Sequence, residues 1–295
     1  MVPWYLFSLM AAFFSAAAAV IQKKILFKES AIGFSLLLAL FNLFLALPFF
    51  FFIDYSLLTT SGMLVLILKS SLGAVAFLFV MQGIKNLEIS EALPLLALTP
   101  GLVAIFAFIA LGEKLNSIEI LGVVLLMAGT YILSLKKKRN ILSPVKKAFS
   151  KKGHFFVLGA LLIFTTTSIL DKALLGNFKV SLNAFMGFQH LIFAIVFIII
   201  LLFSKKRTEL KTALKNSWIL IAFVSVFTIT YRYAHLLAIK SAPVALALSI
   251  KRISIFLAVV IGGTIFKDKR LIQKIIATII LIAGAILIIN GKNWL

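Results

Sequence analysis

The sequence predicts an all-α membrane protein: ten transmembrane helices arranged as two inverted repeats of five helices each. Three observations predict it. Apolar runs of about 20 residues, the length a helix needs to cross the hydrocarbon core, recur along the whole chain. The 295 residues are 62% hydrophobic, with a mean hydropathy of +1.15, whereas soluble domains are roughly half apolar. The two halves also repeat one another: IKNL (84–87) matches IKSA (239–242), GEKL (112–115) matches KDKR (267–270), and LLMAGTYIL (125–133) matches ILIAGAILI (280–288), each displaced by 155 residues. Five spans per half is an odd number, so the second half enters the membrane upside down.

The spans fall at 2–22, 31–53, 62–84, 90–111, 117–135, 154–175, 181–203, 217–239, 244–265 and 271–290. No short basic leader with a small-residue cleavage site precedes the first, which is expected to be retained. The second closes in LPFFFFIDY (47–55), a lipid-facing end with an interfacial tyrosine. Lys69 lies inside the third. In the fourth, Pro94, Pro100 and Gly101 either break the helix or kink it. The fifth and tenth carry Ala128–Gly129 and Ala283–Gly284, small pairs that allow close helix approach within one chain or between two copies. Between the halves lies a basic linker, 136–153, with a proline and eight cations; it separates a first repeat, 1–135, from a second, 154–295. In the sixth span Thr165, Thr166, Thr167 and Ser168 can bond their own backbone or a substrate.

Loop cations set the orientation. The linkers after spans 1, 3, 5, 7 and 9 hold 21 of the 30 Lys and Arg residues, and the opposite side holds 5, Lys114, Lys172, Lys179, Lys240 and Lys292. The positive-inside bias places the odd-numbered linkers in the cytoplasm and both termini outside. The formal net charge of +21 is therefore a matter of topology, and no nucleic-acid partner is expected. The absence of cysteine excludes thiolate metal sites and disulfides, and no cofactor or metal is expected.

Four cations remain inside spans: Lys69, Arg232, Lys251 and Arg252. At about 1.5 Å per helical residue, Lys69, Arg232 and Lys251 each lie roughly 10 Å from the same membrane face. Gln189 and His190 fall close to that level, with Asp171 and His235 shallower. Ser225, Thr228, Arg232 and His235 recur at helical spacing on the eighth span with Tyr231 beside them, and Ala247, Lys251, Ser254 and Ala258 form a stripe on the ninth. Such stripes face a bundle interior or water rather than lipid. The candidate substrate-binding residues are thus Lys251, Arg252, Arg232, Tyr231, His235, Lys69, Asp171, Gln189 and His190. Each has a plainer reading. Lys69 can snorkel to the surface, Arg232 can pair with Asp171 structurally, and the two histidines can be packing residues. Lys251 and Arg252 are hardest to explain that way, because Asp171 is the only carboxylate well inside a span.

Ten spans, a duplicated five-helix unit and the GEK/AG pattern together resemble the drug/metabolite transporter superfamily, in particular its EamA-type permeases. The most specific points are GEKL followed by LLMAGTYIL, and IFKDKR (265–270) followed by ILIAGAILI. The resemblance implies secondary transport of metabolites in a multi-pass protein of a prokaryotic plasma membrane, without a bound cofactor, as a monomer or homodimer. SIKRISI (249–255) is also similar to the ninth span of the plastid phosphate-translocator branch, which implies phosphate binding by Lys251 and Arg252 alone. The first span lacks the membrane glutamate of the small multidrug relatives, which argues against a proton-coupled exporter of lipophilic cations.

The expected function is alternating-access transport, as exporter or exchanger, of a small anionic or zwitterionic metabolite. Two alternatives stand beside it: a flippase of a lipid-linked phosphate, and an amino-acid or drug exporter in which the Lys-Arg pair is structural. An intramembrane enzyme would need a nucleophile or acid pair at depth, which the spans do not offer.

Overall fold

The computed structural model describes residues 2–86, 96, 98–134, 152–204, 209–265 and 271–291. Their helices are α1 (Trp4–Leu26), α2 (Ala31–Phe50), α3 (Thr60–Asn86), α4 (Thr99–Leu111), α5 (Ser117–Ser134), α6 (Lys152–Gly176), α7 (Leu182–Leu202), α8 (Glu209–Ser241), α9 (Val244–Lys251), α10 (Ile253–Ile265) and α11 (Leu271–Asn290). No strand occurs among the described residues. Six helices, α1, α2, α3, α6, α7 and α8, are long and apolar enough to cross a membrane, and α4, α5 and α11 contain shorter apolar segments. Pro94, KDKR (267–270) and the linker 136–151 lie outside the described residues.

Local chemistry sets the helix ends. Ser30 and Ser181 hold corresponding places before α2 and α7; their hydroxyls accept from Gly33 N–H at 3.1 Å and Ala184 N–H at 3.2 Å, satisfying donors that a first turn leaves free. Asn116 and Glu119 exchange side-chain-to-backbone bonds at 2.8 and 2.9 Å, a capping box that starts α5. Pro100 sits in the first turn of α4, where its missing N–H costs nothing.

Two boundaries depart from expectation for visible reasons. The second span stops at Phe50, because Phe51 and Phe52 close a turn and Asp54 caps a 3-10 turn, Tyr55–Leu57, through Ser56 N–H at 3.1 Å. The ninth span is not one helix. Arg252 N–H is shared between Leu248 O at 3.0 Å and Ser249 O at 3.1 Å, and Ile255 N–H reaches Arg252 O at 2.9 Å. One turn tightens to three-residue closure, a local irregularity often seen at functional positions, and α9 gives way to α10 at the Lys-Arg pair.

Helices of the first half pack on helices of the second: α1 on α8, α3 on α6, α2 on α7, α4 on α9 and α5 on α11. The α5–α11 crossing needs glycine, since a Cβ on Gly122 would lie 2.8 Å from Gly284 O. Gly284, from the second small pair, thus takes part in close helix approach within the chain. Large apolar side chains such as Phe44, Leu64, Ile109, Leu162, Phe223 and Ile279 stay exposed around the bundle, as lipid-facing positions should. Phe51 and Phe52 are exposed too. Phe49 and Phe50 turn inward against Tyr233 and Phe188, with centroids 5.8 and 5.3 Å apart, so only part of the LPFFFFIDY run faces outward.

The GEK motif closes one end of the bundle. Gly112 adopts φ 65° at the end of α4, a left-handed turn that glycine makes without strain. It sends Glu113 to the α8–α9 turn, where Oε2 accepts from Val244 N–H at 2.9 Å. That helix start has no side-chain cap of its own, being preceded by Pro243. Lys172 Nζ, 3.7 Å from Glu113 Oε1, donates to Ile239 O at 2.7 Å and Ala242 O at 2.9 Å. An anion thus meets the start of α9 and a cation the end of α8, both matching the helix dipoles. Burial is the largest influence on Glu113 and holds its carboxyl above the ordinary carboxylate range, against the opposing pull of Val244 N–H and Lys172. The charge itself therefore adds little, and the hydrogen bond matters more. Glu113→Gln should change stability by less than about 1 kcal/mol, whereas Glu113→Ala, which strands the Val244 N–H, should cost about 1–3 kcal/mol. Thermal unfolding of both variants in detergent checks this.

Candidate functional site

All nine sequence-predicted site residues line one cavity of about 220 Å³, walled chiefly by α2, α3, α6, α7, α8 and α9. Within it the charges divide into two groups.

The first group is closed on itself. Lys69 Nζ lies 2.8 Å from Asp171 Oδ1, and Arg232 Nη2 lies 2.7 Å from Asp171 Oδ2. Gln189 Oε1 accepts from Arg232 Nε at 3.1 Å and Nη2 at 2.7 Å, and also from Lys69 Nζ. Beneath them the Phe185 ring faces both cations, 4.5 Å from Lys69 Nζ and 5.4 Å from the Arg232 Cζ, an arrangement that favours charge over an aromatic face. Lys69 and Asp171 are each 3% exposed, so Lys69 does not snorkel, and Asp171 meets both cations through its two oxygens. The pairing of Arg232 with Asp171 anticipated from sequence is present, with Lys69 as a third member.

The second group is open. Lys251 Nζ sits 5.0 Å over the Tyr231 ring and has no ion-pair partner among the described residues. Arg252 Nη2 donates to Thr99 Oγ1 at 2.9 Å, while its Nε has no hydrogen-bond partner among those residues. Both side chains line the cavity, although consecutive residues on a regular helix diverge by about 100°.

His190 and His235 are 3% and 2% exposed, and neither His190 nitrogen nor His235 Nδ1 has a partner among the described residues. Thr165, Thr166, Thr167 and Ser168 all donate to carbonyls of their own helix, and the last two also line the cavity. Ala247 does not reach it, being buried in the core. Sequence reasoning missed Phe185, Thr99, and Asn42, which lines the cavity and accepts from the Ser225 hydroxyl at 2.7 Å. Phe185 lies four residues before Gln189, one turn along the same face, a signal that was available. Thr99 and Asn42 looked like ordinary positions in apolar runs.

A second cavity, about 540 Å³, adjoins the first and shares Ser15, Phe77, Phe164, Tyr231, Arg252 and Ser254 with it. It extends along α1 to Lys23 and Lys24, the end of the bundle opposite Glu113 and Lys172.

The closed group depends on a single carboxylate. Asp171→Asn leaves Lys69 and Arg232 buried without counter-charge and should cost about 3–5 kcal/mol. Lys69→Met, which leaves the Asp171–Arg232 pair, should cost clearly less. Melting midpoints of the two purified variants decide it.

No curated protein matches the chain. Among solved structures, one crystal structure of a protein superposes with a TM-score of 0.72 at 16% identity, covering 96% of this chain and 95% of the other; that likeness speaks to the fold alone. The model of the EamA-like transporter family matches twice, over residues 2–135 and 151–290. With six helices long and apolar enough to span a bilayer, the chain is a multi-pass membrane protein and belongs to the EamA-like transporter family.

Proposed function

We propose that the protein is a secondary transporter that moves a small anionic or zwitterionic metabolite by alternating access, with Lys251 and Arg252 receiving its anionic group. One observation carries this reading. Of the four cations in the cavity, Lys69 and Arg232 share Asp171, whereas Lys251 and Arg252 have no carboxylate partner among the described residues. A cation held at membrane depth costs about 2.5–3.5 kcal/mol, and an arriving anion offsets that cost. Arg252 offers a planar fork and Lys251 a point charge. Tyr231 lies under Lys251, and the Asp171 cluster holds Arg232 beside them.

The helix pairings support a ten-span inverted repeat, with α9 and α10 forming the ninth span. Exchanging the halves turns α1–α8 into α6–α3 and leaves α2–α7, α4–α9 and α5–α11 unchanged, as a two-fold relation requires. In this reading 1–135 and 154–295 are the repeats, the odd-numbered linkers are cytoplasmic, and the second cavity admits substrate from that side. The end bearing Glu113 and Lys172 is then the closed outer face.

Uptake of labelled phosphate and small organic acids into proteoliposomes tests the assignment. Lys251→Ala and Arg252→Ala should each slow transport about tenfold to a hundredfold while the protein remains folded. Full activity in both variants would overturn it.

A further inference from the structure

The two adjoining cavities differ in chemistry, and the difference bears on the substrate. The smaller is the more polar of the two and holds Lys69, Arg232, Lys251 and Arg252. The larger is walled along its middle by Ala18, Ile21, Val80, Met81, Leu96 and Ile255, with polar side chains at its two ends, Ser15, Tyr231, Arg252 and Ser254 at the junction and Gln22, Lys23 and Lys24 at the far end. Arg252 and Tyr231 belong to both, so the unpaired guanidinium stands at the junction. An anion held by Lys251 and Arg252 fills the polar side only. Whatever is covalently attached to it must either lie against Phe77 and Phe164, which also line both cavities, or leave that apolar volume to water.

We infer that the substrate is amphipathic: one anionic group, a phosphate monoester or carboxylate, on an aliphatic or aromatic body that occupies the larger cavity. This rests on the anion-binding reading of Lys251 and Arg252 and adds a specificity to it. The two chambers act together. The cations alone would accept any small anion, and the apolar chamber alone would accept any small hydrophobe. Their junction at Arg252 favours a molecule that carries both parts in one covalent frame. Lys23 and Lys24 at the entrance raise the local concentration of anions without holding them, because charges near water are screened.

Calorimetric titration of the detergent-solubilised protein with inorganic phosphate, methyl, butyl and hexyl phosphate, and phenyl phosphate tests the inference. Each methylene buried in the larger cavity should tighten binding about three- to fourfold, so hexyl phosphate should bind far more tightly than methyl phosphate. Phenyl phosphate should also exceed methyl phosphate. Ala258→Phe, which narrows the larger cavity, should erase the gain for hexyl phosphate and spare the binding of inorganic phosphate. Ala19→Phe on the facing helix provides a second variant should the first fail to fold. Equal affinity across the series, abolished throughout by Lys251→Ala, would overturn the amphipathic substrate while leaving the anion site standing. No Lys251-dependent binding of any member would overturn both.

Discussion

Among the described residues that line the cavity, one carboxylate serves four cations. Asp171 reaches Lys69 through one oxygen and Arg232 through the other, and the rest of the cavity follows from that shortage. Gln189 adds acceptor capacity where a second carboxylate would otherwise be needed, and Phe185 offers a ring face to both cations. Buried charge is tolerated where it is paired and hydrogen-bonded, and this group meets both conditions. Among the described residues, Lys251 and Arg252 receive only a ring and a hydroxyl. The contrast between the two groups, more than the number of charges, is what the proposed anion site rests on.

The scaffold makes that contrast possible. The fixed group draws on α3, α6, α7 and α8, whereas the open pair sits where α9 passes into α10. At the far end, Glu113 caps α9 and Lys172 caps the end of α8, so the turn preceding the Lys-Arg segment is held by groups from α6 and the α4–α5 turn. A transporter needs some elements rigid and others able to shift. The divided ninth span, tied at one end and irregular in its middle, is suited to the second role.

Much of this was legible in the sequence because hydrophobic length and displaced repeats are strong signals. The helices, the shared cavity of the nine polar residues and the family all follow from apolar runs, the matched motifs and the depth of Lys69, Arg232 and Lys251. Residue counting ran out where it assumed ideal helices. It read the ninth span as continuous, since nothing in SIKRISI announces a tightened turn. Thr99 and Asn42 were invisible for a different reason: a small polar residue in an apolar run gains meaning only from what faces it. Glu113 and Lys172 were counted as motif and loop charge, and their joint capping of the α8–α9 turn needed three distant segments to be placed together.

Asp171 compensates Lys69, and Lys251 has no such partner among the described residues. Melting midpoints of Lys69→Met and Lys251→Met, measured side by side without phosphate or organic acids in the buffer, test it most directly. Removing an uncompensated charge should relieve a cost that function imposes on stability, so Lys251→Met should melt above the parent protein and Lys69→Met below it. A fall in both variants to a similar extent would mean that Lys251 is a structural charge with a partner of its own, and would contradict the account.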